Sequence, residues 1–179
     1  GTDFDISAVG FLLAAILVVL LVSIALAISH AILTYKLVQR RDEHFRRDVI
    51  LRQGMEEYLA VLSNGKGIDL NVERWTMNTI HIGATSNDRS AGLWAMLVGL
   101  IAIIPIIGII FLFYSQYFLT KDVQEHDEKQ RSFNQYFQAG LMKSGKIAQP
   151  LFDWQPLPRR DTSAYVILTI LTLGLFLPY

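Results

Sequence analysis

The chain has 179 residues, 52% hydrophobic and 18% charged, with a mean hydropathy of +0.35, a mix too apolar for an ordinary soluble domain. Sixteen Lys and Arg balance sixteen Asp and Glu, so no net basic field exists to hold nucleic acid and no acidic excess marks a disordered tail. The absence of Cys removes disulfides, thiolate metal sites and Cys nucleophiles together.

Residues 1–35 form the first segment. From residue 6 onward its only ionisable side chains are His30 and Tyr35, and residues 11–26 are Leu, Ile, Val, Ala and Phe with a single Ser. This composition and length predict a transmembrane helix. A secretory signal peptide would have a shorter apolar region preceded by basic residues, whereas Asp3 and Asp5 precede this one. The opening Gly1-Thr2, without Met, is what a processed, tagged or partial sequence would show.

Residues 36–89 are a polar arm. Leu37, Phe45, Val49, Leu59 and Leu62 recur at near-helical spacing without a Pro, so the membrane helix is expected to continue into water as an amphipathic helix. Arg40, Arg41, Asp42, Glu43, Arg46, Arg47 and Asp48 mix signs at three- and four-residue separations, the pattern of a solvated face. The run Ser63-Asn64-Gly65-Lys66-Gly67 ends the helix. A short amphipathic helix is expected from an N-cap at Asn71, with Val72, Trp75, Thr79 and Ile80 as its apolar face.

Residues 90–120 carry no Asp, Glu, Lys, Arg or His and would reach about 46 Å as one helix, beyond the roughly 30 Å hydrocarbon core. Trp94 near one end and Tyr114 and Tyr117 near the other match interfacial aromatic belts, so this segment reads as a second span kinked at Pro105 and Gly108. A hairpin turning near Pro105 is the alternative. Residues 121–161 repeat the polar arm: Val123, His126, Gln130, Phe133, Phe137 and Leu141 make a weak heptad with two polar positions. If unbroken, residues 6–62 and 91–143 would each form a helix approaching about 80 Å. Tyr35, Leu37, Glu43, His44 and Gln53 recur as Tyr117, Leu119, Glu125, His126 and Gln135 at identical spacing, an internal echo between the two arms. Ser144-Gly145-Lys146, Pro150, Pro156 and Pro158 mark an irregular linker.

Residues 162–179 are apolar after Arg159-Arg160-Asp161, with Thr162 or Ser163 as N-cap, and read as a third transmembrane segment cut short. The stretch around Thr169-Ile170-Leu171-Thr172-Leu173-Gly174-Leu175-Phe176-Leu177-Pro178-Tyr179 resembles the T-L-G-x-[FY]-x-x-Y-W span of small, uncharacterised multi-span membrane proteins of bacteria and archaea. That resemblance covers about a tenth of the chain. It implies a prokaryotic membrane protein whose chain continues past Tyr179, and no activity.

The fold class expected is therefore all-α: an integral membrane protein with three apolar segments, the first two continuing into long helical arms. The basic cluster Lys36, Arg40, Arg41, Arg46 and Arg47 places residues 36–89 in the cytoplasm and the N-terminus outside a multi-pass cell-membrane protein. Three simple crossings would put residues 121–161 outside despite their seven basic residues; the hairpin would keep both arms inside. Small residues form two stripes, Ser23, Ala27 and Ala31, and Ala91, Ala95, Gly99 and Ala102, which let membrane helices approach within one chain or between chains.

Phosphate loops, zinc-protease helices and nucleophile elbows do not occur, so no catalytic residue and no cofactor is assigned. The minority metal reading rests on His44 with Asp48 and Asp122 with His126, each pair four residues apart on one helical face; exposed His in a mixed charge run is the commoner arrangement. His30 beside Ser29 is the one ionisable side chain of the first apolar run before its terminal Tyr35, and His81 has no evident partner. The expected function is a non-enzymatic structural or accessory subunit, partnered by lipid and by copies of itself or other membrane subunits. The alternative is a channel or transporter component with a path near His30 and Pro105.

Overall fold

The computed structural model describes residues 6–84, 89–151, 161, 164, 167 and 168, and all of its regular structure there is helical. Helix α1 is Ile6–Lys66, α2 Asn71–Ala84, α3 Ala91–Gly99 and α4 Pro105–Lys143, with a 3₁₀ turn at Leu100–Ala102 between α3 and α4. The third apolar segment, the motif that carries the family resemblance and most of the linker lie outside the described residues. The helices distribute over two compact units, Gly1–Val38 with Ser90–Ser115 and Gln39–Arg89 with Gln116–Tyr179.

In the first unit α1 is sheathed in apolar side chains that touch little protein. Phe11, Leu13, Val19, Leu21 and Ile28 are all exposed, and 6% of the most apolar window of α1 is buried. Ala27, Thr34 and Val38 are buried on one face at helical spacing, and Ala31 meets Gly99 there, where an added Cβ would stand 3.8 Å from the Ala31 Cβ. Of the small-residue stripes, Ala31 and Gly99 approach each other within this chain and Ala27 is buried, whereas Ser23 stays exposed and bonds its own helix at the Val19 carbonyl. Ala91, Ala95 and Ala102 are half-buried on the same side of the chain as Val98, while Gly92, Leu93 and Met96 face out.

The segment 90–120 does not run on as one kinked helix. Ser90 caps α3, its Oγ accepting from the Leu93 N–H. The chain then tightens at Leu100 and restarts with Pro105 as the first residue of α4, where a missing N–H costs nothing. Residues preceding a Pro are pushed out of the helical region, so the break falls just before it. The two helices then return alongside each other: Trp94 stacks on Tyr114 with ring centroids 5.4 Å apart and meets Phe111 edge-on at 6.4 Å. Side chains expected at opposite faces of a membrane are therefore neighbours, and the segment is a helical hairpin. Gly108 makes the close turn possible, since a Cβ there would lie 2.2 Å from the Ile101 backbone nitrogen.

The second unit is a bundle of the C-terminal part of α1, α2 and most of α4. Asp48 pairs with His126, Arg52 with Gln130 and Lys66 with Ser144, all at a constant offset of 78 residues, so α1 and α4 run parallel. On α2, Glu73 meets Lys143 and the Gly83 carbonyl meets Lys129, so α2 runs antiparallel to α4. Leu59, Leu62, Leu70, Met77, Phe133 and Leu141 form the apolar core. Helices α1 and α4 end alike: Gly67 and Gly145 take φ of 63° and 68°, and the N–H of Ile68 and Lys146 return to the carbonyls of Ser63 and Leu141.

The face of α2 differs from the sequence expectation. Val72, Trp75 and Thr79 are exposed, and Met77 and Ile80 pack on the core instead. Both stripes have helical spacing; the inward one also carries Glu73 and His81, which meet Lys143 and Glu56 on neighbouring helices.

Candidate functional site

The polar side chains of the second unit form two layers beside its apolar core. One is an ion network. The buried Arg41 pairs with its neighbour Asp42 and donates from Nη2 to Asp122 at 2.7 Å; Arg89 donates from Nε to the same Asp122 oxygen at 3.0 Å and from its backbone N–H to Asp42 at 3.1 Å. Two guanidinium and two carboxylate groups neutralise one another, the condition for burying charge. Phe45 and Phe118 supply aromatic faces for Arg41 and Arg89, at 4.6 and 4.2 Å from the ring centroids. Residues 40–48 are accordingly not a uniformly solvated face: Arg40, Glu43, Arg46 and Arg47 are exposed, whereas Arg41 and Asp42 are buried.

The second layer contains the histidines. Asp48 stands one turn after His44 on α1, and α4 brings His126 to the same carboxylate. The Asp48 Oδ2 is 2.6 Å from His126 Nε2 and 3.3 Å from His44 Nε2. One donor atom from each of the three residues falls within 4.8 Å of the others. His126 is buried and stacked on Phe45, with centroids 4.1 Å apart and planes at 16°, while the His44 side chain is 59% exposed. Burial pushes the His126 imidazole below its ordinary pKa, against the upward pull of its hydrogen bond to Asp48. A cleft of about 520 Å³ opens beside the triad, lined also by Asp127, Gln130 and Asn134 on α4.

Three of the four sequence-level metal candidates thus meet. Asp122 is held away by Arg41 and Arg89. The two histidines of the internal echo face one another with ring centroids 5.3 Å apart.

Behind the triad Arg52 is fully buried. Its Nη1 donates to the Gln130 Oε1 at 3.0 Å, and Asp48 and Glu56, one turn either side on α1, balance its charge. Desolvation nevertheless dominates and lowers its pKa. Glu56 shows the mirror effect: burial raises its carboxyl pKa against the pull of His81, Arg52 and Arg74. His81, which the sequence left without a partner, places Nδ1 3.4 Å from the Glu56 Oε1. The Asp48, Arg52, Glu56 ladder was present in the sequence at four-residue spacing, but the same spacing serves a solvated face.

In the first unit His30 lies 2.8 Å from the Leu26 carbonyl of its own helix, and Pro105 is exposed. No family model, curated protein or solved structure matches the chain.

Proposed function

We propose that this chain is a non-enzymatic integral membrane protein, a structural or accessory subunit whose polar helical bundle is held at one face of the membrane. The observation that carries the reading is the first half of α1, in which Phe11, Leu12, Leu13, Ile16 and Leu17 are all more than half exposed over a length able to cross a bilayer. The short apolar helix Ala91–Ala102 would extend about 18 Å, less than the roughly 30 Å required, so the hairpin enters the bilayer and returns to the side it came from. Both polar arms then share one side, and the basic clusters at residues 36–47 and 121–161 favour the cytoplasm, with the N-terminus outside.

Assembly with further copies or other membrane subunits is supported by apolar side chains that remain uncovered outside the apolar segments. Ile50 and Val61 on α1 and Val72 and Trp75 on α2 are each at least two-thirds exposed. Chemical crosslinking of the full chain in native membranes tests the reading, with gel filtration in detergent over a range of concentrations. Crosslinked oligomers or heteromeric complexes are expected; a lone monomer at every concentration and in membranes overturns it.

A further inference from the structure

We propose that His44, Asp48 and His126 form a binding site for a divalent transition-metal ion, with zinc the best match to two imidazoles and one carboxylate. The donors come from two helices held in fixed register: His44 and Asp48 are one turn apart on α1, and His126 projects from α4 four residues before Gln130, whose contact with Arg52 pins the same pair of helices. Their donor atoms already lie within 4.8 Å of one another. Around a zinc ion with ligand distances of about 2.0–2.2 Å, donor pairs stand about 3.3 Å apart, so convergence asks for a movement of up to about 1.5 Å.

His44 is the side chain free to make that movement. It is largely exposed, and its contact with Asp48 is long at 3.3 Å. His126, by contrast, is fixed by Phe45 stacked on its ring, and Asp48 is already directed at it. An ion would replace the direct Asp48–His126 hydrogen bond with coordination of both groups. The adjoining cleft leaves the remaining coordination positions to water or to a small donor entering between α1 and α4.

A purely structural Asp48–His126 contact explains the packing of α1 on α4 without His44. His44 therefore discriminates between the two roles. Untagged full-length protein in detergent, stripped with a chelator, is titrated with Zn²⁺ and, for its visible spectrum, Co²⁺; retained metal is measured by elemental analysis after gel filtration. One ion per chain is expected, together with a metal-dependent rise in the thermal midpoint of the bundle. His44→Ala is expected to weaken binding by about tenfold or more and to shrink the metal-dependent rise in the thermal midpoint. Asp48→Asn is expected to weaken binding as well. Failure of the wild-type chain to retain either ion, or unaltered affinity in His44→Ala, overturns the site.

Discussion

Glu56 illustrates how burial reverses the usual sign of a carboxylate's contribution. Arg52, Arg74 and His81 all attract its charged form, yet removal from water outweighs them and its pKa rises. The folded chain then holds this proton more tightly than the unfolded chain. From about pH 4.3, the ordinary Glu value, stability at this residue falls as pH rises, until the raised folded pKa has been passed. Glu56→Gln keeps the shape and removes the titration. The stability of the variant relative to the parent is expected to improve as pH rises through that window and to level off above it. Thermal unfolding followed by helical circular dichroism from acidic to neutral pH measures this; a pH-independent difference would show that Glu56 is not held in the environment described. The apolar members of the bundle core, Leu59, Leu62, Phe133 and Leu141, were legible in the sequence because their spacing has one reading. The buried charges were not. Arg41, Asp42 and Arg52 sit among exposed residues of the same types, and four-residue alternation of sign satisfies a wet helix and a buried network equally.

At the scale of elements, the turn between α3 and α4 depends on one missing side chain. A Cβ on Gly108 would stand 2.2 Å from the Ile101 nitrogen and 2.5 Å from its Cα, atoms of the backbone that cannot rotate aside. Gly108→Ala is expected to open the hairpin, at a cost of about 1–3 kcal/mol typical of overpacking, and to reduce the stacking of Trp94 on Tyr114. Its signature is a shift in Trp fluorescence together with a lower thermal midpoint; an unchanged spectrum and midpoint would contradict the close approach. Gly54 gives the opposite expectation. It lies inside α1, is exposed, and has nothing within 4 Å of a would-be Cβ, so Gly54→Ala should stabilise the helix by about 0.5–1 kcal/mol. The sequence showed Pro105 and Gly108 as irregularities but left their geometry open, because a kink and a turn use the same two residues. What decides between them is the match of Trp94 to Phe111 and Tyr114, a contact between positions far enough apart that local pattern carries no record of it.

At the scale of the whole molecule, the bundle constrains any membrane arrangement. Residues 39–89 and 116–151 belong to one unit, tied by Arg41 and Arg89 to Asp122, by Asp48 to His126, by Arg52 to Gln130 and by Lys66 to the Ser144 carbonyl. Under the proposed membrane reading, segments that share these contacts would occupy one side of the bilayer, since a polar backbone and its charges are not divided across hydrocarbon without loss of every such bond. Three simple crossings would separate them. The natural absence of Cys turns this into a direct measurement. Single replacements at exposed Arg40 and at Lys129, one on each arm, are made in the full chain and tested with an impermeant thiol reagent on intact cells and on inverted vesicles. Both are expected to label from the same side, the cytoplasmic one by the charge argument. Protection of both from outside with labelling of both in inverted vesicles fits the bundle and the basic clusters together. Labelling of the two arms from opposite sides would require α1 and α4 to part in the membrane, and would remove the geometry that brings His44, Asp48 and His126 to one point.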